Sequence, residues 1–173
     1  MAEVVVVNGP PGIGKSTVVA ELRGLLPDLV AISGEALRAF APADARAHLG
    51  GGATYRAAGA LAGAYFALGA PRVIVDYVFL RAAHFRYLTE ALPVGTVVRI
   101  FTLWAPLEVA IERDQGRAGH LPASAGLRSS YLEMQQNLAL MGQLIETATL
   151  PAGVTAARIH QLLLTPPSAP PVI

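Results

Sequence analysis

The stretch that most constrains the fold of this chain reads GPPGIGKST and runs from Gly9 to Thr17. It matches the pattern G-x-x-x-x-G-K-S in full. Four consecutive valines (Val4 to Val7) precede it, and an apolar helical repeat from Ser16 to Leu26 follows it. A continuous β-branched run is typical of a strand buried on both faces of a parallel sheet. The sequence therefore predicts a buried strand, a tight loop and a helix in that order.

A loop of this kind is suited to hold the phosphates of a nucleoside triphosphate. Glycines let the main chain wrap closely and point successive N–H groups inward, and the following helix adds its positive end. We expect the Lys15 ammonium to reach the β- and γ-phosphate oxygens and the Ser16 hydroxyl to coordinate Mg²⁺. The predicted cofactors are ATP and Mg²⁺, and the predicted nucleotide-binding residues are Gly9, Pro10, Pro11, Gly12, Ile13, Gly14, Lys15, Ser16 and Thr17.

The use of basic residues narrows the class of nucleotide-binding protein. Of the 13 basic residues, 12 are arginines and Lys15 is the only lysine. A guanine-specific Asn-Lys-x-Asp element would need a second lysine, and Asp76 is not followed by the glycine of a GTPase switch. A dinucleotide-binding fingerprint is excluded because Thr17 stands where its third glycine would be. These exclusions leave a compact phosphotransferase as the prediction.

Composition sets the broad class of the chain. Its 173 residues are 53% hydrophobic with a net charge of +1, which predicts one domain with a sizeable core and neither nucleic acid nor a membrane as partner. The absence of cysteine excludes disulfides and thiolate zinc sites. The longest uncharged run, 15 residues between Arg56 and Arg72, is too short to span a bilayer and predicts a buried core helix. Without a basic N-terminal region that would indicate a signal peptide, we expect a cytoplasmic location.

Strands and helices alternate along the rest of the chain. Further strands are predicted at Leu29–Ile32, Arg72–Val75 and Thr96–Leu103, and further helices at Glu35–Phe40, Ala53–Leu68, Arg81–Leu92, from Pro106 to about Gln115, and at Ala152–Leu164. Leu127, Tyr131, Met134, Leu138 and Met141 repeat at helical spacing and predict another helix with a core-facing stripe. Leu144–Thr147 fits either a fifth strand or a continuation of this helix. This alternation predicts an α/β fold with a parallel sheet covered on both faces. We assign residues 1–164 to one domain with a mobile loop at about 116–126, and residues 165–173 to a proline-rich tail.

Three segments together resemble a known superfamily: NGPPGIGKST, VIVDYVF (73–79) and LWAPLEVAIERDQGR (103–117). They are similar to P-loop kinases of the nucleoside-monophosphate-kinase-like superfamily, and most of all to chloramphenicol phosphotransferase-like and tunicamycin-resistance-like proteins. The resemblance covers most of residues 3–164. It implies a three-layer P-loop fold with a five-stranded parallel sheet, in which the first strand lies between the third and the fourth. It also implies that the 116–126 loop is a lid that closes over ATP.

Two carboxylates are candidates for the chemistry. Asp76 ends the third predicted strand, where the resemblance implies an acid that holds Mg²⁺ or orients the acceptor; the alternative is a side chain that caps the following turn. The resemblance implies that Glu35 accepts the proton of the acceptor hydroxyl, although the family pattern has Asp there. The alternative for Glu35 is a carboxylate that merely favours the positive end of a helix. Which of the two is the base stays open.

Four arginines are candidates for binding substrate. The resemblance makes Arg113 and Arg117 lid residues that neutralise charge on the transferring phosphoryl group, and the alternative for Arg113 is a partner for the negative end of its helix. Arg38 and Arg56 are candidates for contacting the acceptor, with a solvated position as the alternative. The four histidines show no spacing typical of a metal site.

These observations lead to two functional hypotheses. The first is an ATP-dependent phosphotransferase that moves the γ-phosphoryl group to a hydroxyl of a small molecule, such as an antibiotic or a nucleoside-like alcohol. The second is an ATP-binding protein that sequesters a drug or regulates a partner without phosphoryl transfer. We expect the acceptor pocket between residues 35–56 and 76–80, and the adenine contacts near 147–153. The oligomeric state is not predicted.

Overall fold

The four valines after Glu3 lie at the centre of a parallel sheet. The computed structural model describes residues 2–115 and 125–165. Within them β1 (Glu3–Asn8), which holds the valines, pairs with β3 (Arg72–Asp76) on one side and β4 (Val97–Trp104) on the other. The strands β2 (Val30–Ser33) and β5 (Gln143–Glu146) form the edges, which gives the order β2-β3-β1-β4-β5 with every pair parallel. The predicted α/β fold and the central first strand are confirmed.

Helices cover both faces of this sheet. The described helices are α1 (Lys15–Leu25), α2 (Gly34–Ala39), α3 (Ala43–Leu49), α4 (Ala53–Ala67), α5 (Ala82–Thr89), α6 (Leu107–Gln115), α7 (Ala125–Gln136) and α8 (Ala152–Leu164). Successive side chains of a strand point to opposite faces, so Val5 and Val7 pack with α1 and α8, whereas Val4 and Val6 pack with α4 and α5. All four valines are fully buried.

The structure contains one helix that the sequence did not predict, and it decides one segment that the sequence left open. The helix α3 was not predicted, because Ala43–Leu49 has no apolar face, and none of its residues is buried. The segment around Leu144, which fitted either a strand or a helix, is the edge strand β5. Its pairing with β4 supplies hydrogen bonds that a local pattern does not reveal.

The long uncharged run after Arg56 lies largely within α4, as predicted for a core helix. The buried face of α4 carries Tyr55, Ala58, Gly59 and Ala62. In the part of the chain that the structure describes, no helix has both the length and the apolar character needed to cross a lipid bilayer.

The carboxyl ends of the strands bring the candidate residues to one edge of the sheet. Asn8 ends β1 and leads into the P-loop, Asp76 ends β3, and Ser33 ends β2 just before Glu35. Val7 is in register with Asp76, and Asp76 with Ser33. Ligands of parallel α/β sheets bind outside this edge.

Candidate active site

The P-loop connects β1 to α1 and is packed tightly against the rest of the fold. Gly12 has a φ of 78°, and a Cβ there would lie 2.4 Å from the Ala110 carbonyl oxygen of α6. Ile13 is 2% exposed and fixes the loop to the core. A residue with a side chain would be strained at Gly12 and would collide with α6, so this glycine sets the path of the loop.

The side chain of Lys15 folds back over this loop. Its Nζ donates to the carbonyl oxygens of Gly9 at 3.0 Å and Pro10 at 3.1 Å. Lys15 is the first residue of α1. The ammonium is therefore held over the P-loop, and the positive end of the α1 dipole adds to the positive potential of this region.

A cavity of about 390 Å³ opens beside Lys15. It brings together residues from four separate parts of the chain, namely the P-loop with the start of α1, the start of α2, the segment after β3, and the end of α6. The lining residues are Pro11, Gly12, Gly14, Lys15, Ser16, Glu35, Asp76, Tyr77, Val78 and Asp114. Four of the candidates, Lys15, Ser16, Glu35 and Asp76, thus share one space, which we name the carboxylate cavity.

The two predicted carboxylates reach this cavity in different environments. Asp76 is 7% exposed at the end of β3, between β1 and β2. Glu35 is exposed in the first turn of α2, and the Ser33 hydroxyl caps this helix by accepting from the Ala36 N–H at 3.3 Å. One carboxylate is fixed by the sheet, and the other stands at the mouth of the cavity on a short capped helix.

Asp114 is a third carboxylate of the same cavity, and the sequence analysis did not identify it. It is 3% exposed, and its Cβ would lie 3.0 Å from a Cβ built on Gly12. Ala110 and Asp114 are four residues apart and both face the P-loop. Asp114 could have been identified from the sequence, because it is a polar residue on the buried face of the helix predicted to start at Pro106.

A second cavity of about 350 Å³ lies on the other side of the P-loop and shares Gly12 and Gly14 with the first. Its walls come from the P-loop, α1, Arg113 and the connection from β5 to α8. The lining residues are Gly12, Ile13, Gly14, Thr17, Val18, Arg113, Thr147, Leu150, Pro151, Ala152 and Thr155. This cavity lies at the 147–153 turn where we expect the adenine contacts.

Comparison with known proteins assigns the family. A family profile described as an AAA domain matches residues 4–140. The chain belongs to the AAA domain family. Among curated proteins, none matches this AAA-domain sequence.

Solved structures share the fold of this AAA domain. A sugar kinase from Janibacter sp. HTCC2649 superposes with a TM-score of 0.68 at 22% identity, covering 94% of this chain and 95% of that one. The tunicamycin resistance protein of Deinococcus radiodurans gives 0.67 at 22% identity, covering 98% and 100%. The shikimate kinase from Acinetobacter baumannii, solved with shikimate, gives 0.60 at 19% identity, covering 95% and 94%. The fold is that of the P-loop kinases, as the sequence resemblance implied.

In this AAA domain Arg113 binds main-chain carbonyls. Its guanidinium donates to the oxygens of Thr147 at 2.7 Å, Ala148 at 3.1 Å and Ile13 at 3.4 Å. It thereby joins the end of α6 to the P-loop and to the wall of the second cavity, which differs from the lid position implied by the resemblance. Arg117 and most of the predicted lid, residues 116–124, lie outside the described residues.

The other two candidate arginines lie outside the walls of both cavities. Arg56 forms an ion pair with Glu90 at 3.3 Å and lies 4.2 Å from the centre of the Tyr87 ring. Arg38 is exposed near the end of α2, and its charge opposes the rise in the pKa of Tyr77. Neither is among the lining residues of the carboxylate cavity or of the second cavity.

Tyr77 forms the apolar side of the carboxylate cavity. Its ring lies against Gly34, where a Cβ would approach the Tyr77 Cγ to 2.2 Å. The Tyr55 ring lies 5.3 Å from it, centre to centre. Burial raises the pKa of Tyr77, and the negative charge of Glu35 raises it further. Tyr77 therefore stays neutral at physiological pH and presents an aromatic surface beside Glu35.

The donor set of the carboxylate cavity fits a hard cation. The Ser16 hydroxyl and the Asp76 carboxylate are oxygen ligands of the kind that Mg²⁺ prefers. In residues 2–115 and 125–165, no three histidine or acidic side chains form a complete metal site of their own. Mg²⁺ in nucleotide-dependent enzymes is usually bound by one or two carboxylates together with substrate phosphates.

Proposed function

We propose that this chain is an ATP-dependent phosphotransferase that moves the γ-phosphoryl group of ATP to a hydroxyl of a small molecule. The observation that carries the proposal is the carboxylate cavity. It brings the P-loop residues Lys15 and Ser16 together with the carboxylates Glu35 and Asp76. A cation to hold phosphate and a carboxylate to receive a proton are the groups that phosphoryl transfer to an alcohol requires.

The P-loop side holds the nucleotide. The main-chain N–H groups of residues 12–16 and the Lys15 ammonium bind the phosphates, while the second cavity accepts the base between Arg113 and the 147–153 turn. Ser16 and Asp76 would hold Mg²⁺, which would supply positive charge against the phosphates of the nucleotide. The Lys15 ammonium stabilises the negative charge that builds up on the transferring group.

The acceptor side supplies the base. The acceptor oxygen attacks the γ-phosphorus, the bond from phosphorus to the β–γ bridging oxygen breaks, and ADP leaves. Glu35 receives the hydroxyl proton. Asp76 is the alternative base, and its buried position beside the P-loop favours the metal role for it and the proton for Glu35.

The lining of the cavity favours an uncharged acceptor. Glu35, Asp76 and Asp114 repel an anionic molecule, whereas Tyr77 and Val78 offer apolar contact. The similar structures include a sugar kinase, a gluconokinase from Sinorhizobium meliloti 1021 and a shikimate kinase solved with shikimate. These names support a small hydroxylated acceptor; because gluconate and shikimate are carboxylates, the preference for an uncharged acceptor rests on the lining of the cavity alone. A neutral, partly apolar alcohol, such as an antibiotic or a nucleoside-like compound, fits this surface.

The test is acceptor-dependent release of ADP with a panel of such alcohols. We expect at least one alcohol to stimulate release, with detection of its phosphorylated form by mass spectrometry. Lys15→Ala should lower turnover on the order of 10²-fold, because it removes one preorganised charge-stabilising group. Arg23→Ala, which removes an exposed cation from the same helix, is the matched control and should leave turnover unchanged.

Two outcomes contradict the proposal. Equal product yields from Lys15→Ala and the unaltered protein would exclude the assigned role of Lys15. Tight ATP binding by calorimetry with no turnover on any alcohol would favour the second hypothesis, a protein that sequesters a ligand or regulates a partner.

A further inference from the structure

Residues 77–80 (the 77–80 segment) form the acceptor side of the carboxylate cavity without being a helix or a strand. The segment leaves the end of β3 and contributes Tyr77 and Val78 to the lining. It enters α5 only after Arg81. A stretch without regular structure depends on other partners for its main-chain polar groups, because leaving such groups buried and unpaired is costly.

The first partner is the side chain of Asn8, which is fully buried. Its Oδ1 accepts from the Phe79 N–H at 2.8 Å, and its Nδ2 donates to the Phe79 carbonyl oxygen at 3.1 Å. The same Nδ2 donates to the Thr102 hydroxyl at 3.2 Å. One amide at the end of β1, next to the P-loop, thus satisfies both polar main-chain groups of Phe79.

Two further partners come from the helices on this face of the sheet. The Tyr55 hydroxyl of α4 donates to the Val78 carbonyl oxygen at 2.9 Å. The Leu80 N–H donates to His84 Nδ1 of α5 at 3.0 Å, and the Tyr55 hydroxyl lies 3.0 Å from the same nitrogen. The rings of Tyr55 and His84 stack with centres 4.4 Å apart.

Apolar packing alone does not determine how this segment presents its side chains. Phe79 is fully buried and stacks on Phe85 at 4.7 Å, which holds one residue in the core. The directional bonds to Val78, Phe79 and Leu80 additionally fix the orientation of the main chain, and with it the faces on which Tyr77 and Val78 lie. Three different elements, β1, α4 and α5, supply them.

We propose that Asn8, Tyr55 and His84 are positioning residues that hold the 77–80 segment as the acceptor wall of the cavity. None of the three is among the lining residues of the two cavities described above, and they act through Tyr77 and Val78. The assignment of this segment as the acceptor wall rests on the proposed function. Its anchoring by the three side chains rests on the geometry alone.

The experiment compares two tyrosine substitutions in the full chain. Tyr55→Phe removes the hydroxyl that donates to Val78 and keeps the ring. Tyr131→Phe is the matched control, since it removes a hydroxyl that donates to the Ala105 carbonyl oxygen at 3.0 Å, away from this segment. The measurement is amide hydrogen exchange with solvent, followed by NMR. In Tyr55→Phe we expect the amides of Phe79 and Leu80 to exchange about fivefold faster, because one hydrogen bond is lost, and the amide of Val5 to exchange at an unchanged rate.

The exchange rates decide whether the Tyr55 hydroxyl holds the 77–80 segment in place. Unchanged exchange at Phe79 and Leu80 in Tyr55→Phe overturns the proposal. Equal acceleration at Val5, in the central strand, also overturns it, because this would show global destabilisation and no local role. Faster hydrogen exchange at Phe79 and Leu80 in Tyr131→Phe would also overturn the proposal, because the effect would then not depend on the Tyr55 hydroxyl. Acceleration confined to Tyr55→Phe and to residues 79 and 80 supports the proposal.

A kinetic measurement then relates the anchoring to the acceptor. With the alcohol that gives the largest ADP release, Tyr55→Phe should raise the KM for that alcohol about fivefold and leave the KM for ATP unchanged. A rise in the KM for ATP alone overturns the link to the acceptor. If no alcohol releases ADP, the proposed function fails, while the exchange result still supports or overturns the anchoring by itself.

Discussion

At the scale of single residues, the proposed function gives the two carboxylates different roles because they differ in burial. Asp76 is held at the end of a central strand with 7% of its surface exposed, whereas Glu35 is exposed on the first turn of α2. A buried carboxylate is stabilised by a cation or by hydrogen bonds, and in the proposed function Mg²⁺ would be that cation. An exposed carboxylate can take up a proton and release it to solvent.

Replacing Glu35 with Gln tests the base. We expect Glu35→Gln to lower acceptor-dependent turnover by about 10²-fold or more, the range of general base catalysis, with nearly unchanged ATP affinity by calorimetry. Glu108→Gln makes the same change in the first turn of α6, also at an exposed position, and should leave turnover unchanged. Loss of ATP binding in Glu35→Gln would show that Glu35 is not the base.

At the scale of elements, the close contact between α2 and the segment after β3 shapes the cavity. Gly34 begins α2, and Tyr77 follows β3 with its ring against the Gly34 main chain. The absence of a side chain at Gly34 lets the aromatic wall lie next to Glu35. The polar and apolar sides of the cavity are therefore set by one helix–strand contact.

Adding a single methyl group at Gly34 should disturb this wall. Gly34→Ala places a Cβ within 2.2 Å of the Tyr77 Cγ, so the ring must move and acceptor turnover should fall at least tenfold, with ATP binding retained. Gly24→Ala in α1, where no atom lies within 4 Å of the added Cβ, should stabilise the helix by up to about 1 kcal/mol and leave turnover unchanged.

A second variant separates a local clash from general misfolding. The double variant Gly34→Ala with Tyr77→Ala removes the ring that the new methyl group meets. If the clash is the cause, thermal unfolding of the double variant should occur at a higher temperature than that of Gly34→Ala. An identical unfolding temperature for the two variants would contradict this explanation.

At the scale of the whole molecule, His84 couples stability to pH. Burial lowers the pKa of His84 below its ordinary value of 6.5, Arg81 lowers it further, and Glu133 of α7 acts in the opposite direction. The stacked Tyr55 hydroxyl is kept neutral by burial, which raises its pKa. Because Nδ1 accepts the Leu80 N–H, a proton on this nitrogen would break that bond.

The sign of this pH dependence follows from proton uptake. As the pH falls below about 6.5, His84 takes up a proton in the unfolded chain before it does so in the folded protein. The contribution of neutral His84 to the free energy of unfolding is therefore fully present above this pH and is lost as the pH falls further. We expect urea denaturation to show lower stability at pH 5.5 than at pH 7.5. In His84→Asn, whose amide oxygen accepts from Leu80 and does not titrate, this difference should shrink; an undiminished difference would exclude His84 as the cause.

Local sequence determined the P-loop, the strand before it and the helix after it. Glycine positions, β-branched runs and helical periodicity depend on residues that are neighbours in the chain, so Lys15, Ser16 and the alternation of strands and helices were predictable. Asp76 was predictable as well, since it ends an apolar strand. The helix α3 was missed because its residues pack against no core, and periodicity therefore carried no signal.

Only the tertiary structure decided which distant residues meet. Glu35, Asp76 and Asp114 share a cavity because β2, β3 and the P-loop end at the same edge of the sheet and α6 packs on the loop. Arg113 binds the carbonyl of Thr147, 34 positions away, and Arg56 pairs with Glu90, again 34 positions away. A guanidinium can satisfy its donors with phosphate, carboxylate or main-chain carbonyls alike, so the choice among them depends on the neighbours that folding supplies.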